Sequence, residues 1–124
     1  VRLVRQKHPE GCGVAAFAML TGRTYNAAVK HLGFDGEAID FRNLRRALEM
    51  DGCFCRSVLL RGETWGDEWP PRPFAPRHFA CVTSPSGNGH YVVMNHVGVV
   101  LDPLRTGEHR LTDWKVVSEV CGVL

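Results

Sequence analysis

No apolar run in these 124 residues approaches the roughly 18 that a membrane helix requires, so no membrane span is expected. The opening Val1-Arg2-Leu3-Val4-Arg5-Gln6 has no apolar core of the length a secretory signal needs. A dominant charge is missing too. Lys and Arg number 15 against 13 Asp and Glu, and the resulting +2 argues for neither nucleic acid nor a membrane surface as partner. The basic cluster Arg42, Arg45 and Arg46 falls on a helical pattern, where a solvated face is the ordinary reading. The five cysteines are an odd number without framework spacing, and a chain of this length needs no disulfide staples. A reducing, cytoplasmic setting is therefore expected. Internal repeats and low-complexity segments are absent, which excludes solenoids and disordered tails. What remains is one domain over residues 1–124, with 44% hydrophobic and 23% charged residues, enough to build an ordinary core.

The first part, about residues 1–52, reads as helical. A helix is expected from Cys12 through Leu20, stopping at Thr21-Gly22. Thr24 suits the N-cap of a second, with Ala27, Ala28, Leu32 and Phe34 giving partial periodicity and Gly33 its end. Asp40 suits the cap of a third, in which Leu44, Ala47, Leu48 and Met50 share a face before Gly52. From about residue 53 to 124 the period changes to that of strands. These are expected over 53–60, 79–83, 90–95 and 97–101, with turns at residues 84–89 and at Asn95-His96. Residues 61–77, holding Trp65, Trp69 and most of the prolines, read as a loop. Thr112-Asp113 is expected to cap a short helix over 114–117, ahead of a last strand over 120–124. Helices followed by antiparallel strands make an α+β domain.

The run Gln6-Lys7-His8-Pro9-Glu10-Gly11-Cys12-Gly13 places a cysteine at the head of the first helix. Unpaired backbone N–H groups and the positive end of the helix dipole favour thiolate over thiol there. Glycines on either side leave room for a substrate carbonyl. Gln6 can offer its NH2 group to the same spot. Far downstream, His90 opens one strand-like segment and Asp102 ends the next, so a tight turn between them would bring both to one end of a hairpin. A thiolate that attacks a carbonyl carbon needs such an imidazole to move the proton and a third group to orient the ring. Developing charge on the carbonyl oxygen needs donors, here Gln6 and the Cys12 N–H. The residues thus read as a small cysteine-nucleophile enzyme that requires no cofactor and no metal.

Gln-x5-Cys-Gly before an alanine-rich helix, then His90-Tyr91-Val92-Val93, then Asp102-Pro103, together resemble the papain-like cysteine peptidases. The likeness is strongest to the bacterial double-glycine leader peptidases, which process bacteriocin precursors. It spans residues 6–102 and the terminal Trp114 segment, most of the chain. It implies a papain-like fold with N-terminal helices packed on a C-terminal antiparallel sheet, and a peptide or protein substrate. It also implies Gln6 as oxyanion residue, Cys12 as nucleophile, His90 as general base and Asp102 as its partner. Two features depart from the family. Gly11 stands where an acidic or polar residue commonly precedes the cysteine, and the proline-rich stretch 61–77 is peculiar to this chain.

Each residue also has a plainer reading. Cys12 could be a small buried packing residue, and Asp102 before Pro103 a turn-forming Asx residue. His8, His31, His78, His96 and His109 are rival bases. Cys53 and Cys55 fall on one strand face, and with Cys81, Cys121 or a histidine would make a zinc site, but single-residue spacing is not that of a zinc knuckle. Trp65 and Trp69 could wall a substrate cleft or cover a sheet edge. The same triad can run deamidation or acyl transfer instead of hydrolysis. A non-catalytic binding or inhibitor module would keep the fold and leave Cys12 incidental.

Overall fold

The computed structural model describes residues 2–59, 73–84 and 86–124, with the backbone alone at residues 57–59. Three helices open the chain: α1 (Cys12–Thr21), α2 (Tyr25–Leu32) and α3 (Phe41–Met50). The Thr24 hydroxyl accepts from the Ala27 amide at 3.1 Å and the Asp40 carboxylate from the Asn43 amide at 2.7 Å. Side-chain caps therefore start α2 and α3 where the sequence places them. Gly22 and Gly33 end α1 and α2 in the left-handed conformation, at φ of 73° and 62°. α1 carries no polar face because every residue from Cys12 to Leu20 is buried, between α2 and α3 and the sheet. α3 is two-sided. Leu44 and Leu48 are fully buried, whereas Met50 is 84% exposed. It lies two residues beyond Leu48, on the far side of the helix, and does not share the buried face expected for it. Arg45 pairs with Glu49 at 3.0 Å and donates to the Cys55 carbonyl at 3.1 Å.

Six strands complete the chain: β1 (Cys55–Leu59), β2 (Arg77–Thr83), β3 (Gly89–Asn95), β4 (Val100–Asp102), β5 (Arg105–His109) and β6 (Val117–Val123). They form one sheet in the order β1-β6-β2-β3-β4-β5, with antiparallel neighbours throughout. The helices first, antiparallel sheet after arrangement is the α+β architecture expected. Several boundaries differ. β1 starts at Cys55, and Leu60 together with the loop over 61–72, including Trp65 and Trp69, lies outside the described residues. β2 starts two residues earlier than expected, at Arg77, because His78 is buried rather than part of a loop. β4 is shorter than expected because the Asn95 side chain closes a wider turn, accepting from the Val97 and Val99 amides at 3.0 and 2.9 Å.

Two corrections concern the C-terminal quarter. β5 is unexpected: four of its five residues are exposed, so it leaves no apolar alternation to read. No helix occupies 114–117. A single 3-10 turn, Leu111–Asp113, is closed by the Asp113 carboxylate, which accepts from the Arg110 amide at 3.0 Å. Trp114 is already extended, and β6 begins at Val117 rather than at residue 120.

The sheet is covered on both faces. Phe79, Tyr91, Val93, Cys121 and Val123 join Phe17, Leu20, Leu44 and Leu48 in a core against the helices. The alternate residues Ala80, Val82, Val92, Met94, Val100 and Val120 pack with Leu111, Trp114 and Val117 in a second core. This is why β2 and β3 read as nearly continuous apolar runs. By the same alternation His90 and Asp102 leave the sheet on the second face, beside Val92 and Val100. Among the described residues no helix is long and apolar enough to cross a membrane.

Candidate active site

The nucleophile candidate sits where the sequence places it, as the first residue of α1, with Cys12 about nine-tenths buried. The loop before it is held by backbone and side chain together. The Gly11 amide donates to the His8 carbonyl at 3.0 Å, and the Gln6 amide donates to the Pro103 carbonyl at 3.2 Å. The second bond ties the loop to the residue just after Asp102. No side chain caps the first turn of α1. The N–H groups of Cys12, Gly13 and Val14, which an α-helix leaves unpaired, therefore keep their field for a nearby anion.

His90 and Asp102 are brought into direct contact. The Nε2–H of His90 donates to Asp102 Oδ1 at 2.7 Å, with both residues almost wholly buried. That contact occupies Nε2 and leaves Nδ1 as the ring nitrogen available to a neighbouring group, and Cys12 is near enough to raise the imidazole. Burial pulls the imidazole towards neutrality. The hydrogen bonds with Asp102 and Cys12, and the charges of both, outweigh it and hold His90 up at about 9. Asp102 moves the opposite way. Burial would raise it, but hydrogen bonds from His90, the Leu104 amide and Arg105, with the charge of His90, bring it down to about 2. At neutral pH the pair is imidazolium and carboxylate, desolvated together.

Asp102 has two further partners that the sequence alone does not reveal. Its Oδ1 also accepts from the Leu104 amide at 2.8 Å, and its Oδ2 accepts from Arg105 Nε at 3.0 Å. The Arg105 guanidinium lies 5.2 Å from the centroid of the buried Trp114 ring. A signal is present, since Asp-Pro-Leu-Arg puts a cation three residues after the carboxylate across a tight turn. Arg105 and Trp114 also border a cavity of about 520 Å³ that reaches Thr83, Ser84 and Val116.

Gln6 is the candidate that the structure does not bring onto the sulfur. Its Nε2 donates to the carbonyls of His8 and Pro9 at 2.9 and 3.1 Å, so the amide is engaged within its own loop. Its Oε1 is buried with no hydrogen-bond partner among the described residues. The rival histidines are occupied elsewhere. His78 is fully buried and its Nε2 accepts from the Phe74 and Ala75 amides at 3.1 Å each. The His8 ring bonds the Tyr25 hydroxyl, and His31 stacks on Phe17. His109 packs against Trp114, and His96 sits in the turn after β3. Cys55 belongs to the core: burial first, then neighbouring Cys121, pushes its thiol up to about 12. All five cysteines are free, and no group of three or more metal-ligating side chains occurs among the described residues.

No protein-family model and no curated protein matches the sequence. Solved structures do. The peptidase domain of Streptococcus ComA, a bi-functional ABC transporter of a quorum-sensing pathway, is 13% identical. The alignment covers 98% of this chain and 96% of that one, with a TM-score of 0.71. The peptidase domain of Streptococcus mutans ComA is 14% identical over 100% of this chain and 99% of its own, at 0.64. A double-glycine motif protease from an AMS/PCAT transporter, in complex with a leader peptide, is 12% identical over 99% and 90%, at 0.69. At such identities the likeness is one of fold. This chain has the papain-like fold of the double-glycine peptidase domains, three helices packed on a six-stranded antiparallel sheet.

Proposed function

We propose that the protein is a cysteine peptidase that hydrolyses a peptide or isopeptide bond through an acyl-enzyme on Cys12. The observation that carries this is the buried His90 imidazole, bonded to Asp102 at 2.7 Å and held up by both Asp102 and Cys12, the latter at the head of a buried helix. In this reading the sulfur attacks the scissile carbonyl carbon. The His90 imidazolium then gives its proton to the departing amine nitrogen, the C–N bond breaks, and a thioester remains. Water, deprotonated by the now neutral His90, attacks the thioester and releases the acid. Asp102 holds the ring in the tautomer that turns Nδ1 towards the sulfur, and Arg105 holds Asp102. The carbonyl oxygen is received by the uncapped Cys12 amide, and Gln6 joins it by releasing one of its two bonds to the His8 and Pro9 carbonyls.

The leader peptide bound to the double-glycine protease of the same fold supports a peptide substrate, so peptides that contain a Gly-Gly pair are the first to try. The test is mass spectrometry of such peptides incubated with wild type and Cys12→Ala. Two fragments with wild type and none with Cys12→Ala are expected, because removing the nucleophile disables the whole unit. Conversion of a side-chain amide to an acid without fragments would assign the same triad to deamidation. Undiminished biological activity in Cys12→Ala would make the chain a binding module.

A further inference from the structure

Gly11 is bare because the place of its side chain is taken. A Cβ at this position would lie 2.1 Å from the Tyr25 hydroxyl oxygen and 3.2 Å from the Cζ of that ring. Tyr25 is the first residue of α2 and only 3% exposed. Its hydroxyl is bonded to His8 Nδ1 at 2.8 Å, and the two rings stack with centroids 5.7 Å apart. Phe34 closes against the His8 ring as well, edge-on at 5.4 Å. The residue gripped in this way is the one whose carbonyl accepts from both the Gly11 amide and the Gln6 side chain. One side chain from α2 thus meets the loop between Gln6 and Cys12 at two places, His8 and Gly11.

We propose that Tyr25 is a positioning residue for Cys12, its hydroxyl standing in for the side chain that an N-cap residue would supply. An ordinary Ser or Asp cap holds the start of a helix by consuming a first-turn amide, and an Asp adds negative charge beside it. Tyr25 does the holding from a neighbouring helix through His8. The amides of Cys12, Gly13 and Val14 stay free for the sulfur and for the oxygen of a carbonyl under attack. Gly11 and Tyr25 are therefore a matched pair: the glycine exists because the hydroxyl does. The functional half of this inference rests on the reading of Cys12 as nucleophile.

The experiment compares Gly11→Ala, Tyr25→Phe and the double variant in the whole chain. Thermal unfolding, iodoacetamide labelling near neutral pH with mass mapping, and turnover of any cleaved peptide are the readouts. Tyr25→Phe removes one oxygen and keeps the buried ring, so the fold is expected to persist. Labelling of Cys12 slows about five- to tenfold while the other four thiols label as before, and kcat falls with KM held, as expected when a reacting atom is displaced. Gly11→Ala alone unfolds at a clearly lower temperature, and adding Tyr25→Phe restores at least half of that loss. Wild-type labelling of Cys12 in Tyr25→Phe overturns the proposal, and so does a Gly11→Ala penalty that Tyr25→Phe leaves untouched. Slowed labelling in a protein that cuts no peptide would uphold the positioning and sink the peptidase reading, because labelling needs no substrate.

Discussion

Asp102 is asked to do two things at once, and its two oxygens make that possible. Oδ1 closes an Asx turn on the Leu104 amide and also receives His90, while Oδ2 receives Arg105. From sequence, turn former and triad partner are competing readings of an aspartate before proline. In space the two readings are compatible, since the carboxylate that closes the turn is also the one that meets His90. Arg105 then becomes a test. Arg105→Ala removes one charge-assisted hydrogen bond, worth about 1.5 kcal/mol at this half-exposed position, so peptide turnover is expected to fall about tenfold. Steady-state kinetics check this, and kcat should carry the loss because Arg105 acts through Asp102. An unchanged kcat would remove Arg105 from the site.

The helical elements are legible because their signals are local. Thr24 and Asp40 cap, Gly22 and Gly33 stop, and none of these needs the rest of the chain to act. Thr24→Ala and Asp40→Ala should each lower stability by about 1 kcal/mol, read as a shift in the midpoint of chemical denaturation. The exposed Glu37→Ala, which caps nothing, is the control. The strand elements are less legible. β5 has no buried face to pattern, and the sequence over 111–117 supports two structures equally well at short range. Asp113 looks like the cap of a helix starting at Trp114, yet its carboxylate turns back to Arg110. Trp114 and Val117 are spaced for one helix face, but the second core draws both into extended chain, where Val116 accepts from the Thr83 amide.

The whole molecule joins a helical part to a sheet part across the candidate site. The Gln6–Pro103 backbone bond and the Arg77 guanidinium on the Leu20 carbonyl both cross that line, and the influence of Cys12 on His90 acts across it. The buried His90–Asp102 pair should therefore print its titration on global stability. His90 is raised, so its contribution is complete below the ordinary imidazole range and is lost as pH rises through about 9. Asp102 is lowered, so its contribution is complete above the ordinary carboxylate range and is lost as pH falls towards about 2. Thermal unfolding across that range should show both flanks in wild type and shallower ones in Asp102→Asn. Parallel curves would mean that the pair is not held as described.

Cys12, His90 and Asp102 can be picked out in order along the chain because each carries a local mark: a helix head, a strand start after glycine, a turn before proline. Helix limits and the apolar centres of β2 and β3 are equally local, set by caps, glycines and periodicity. The tertiary structure decided everything that depends on what lies opposite. It turned the Gln6 amide onto its own loop, put Arg105 behind Asp102, and laid Tyr25 in the space that Gly11 leaves open. Spacing along the chain says which groups exist and which way they face. Which partner fills a lone pair or a missing Cβ is settled only when distant segments pack.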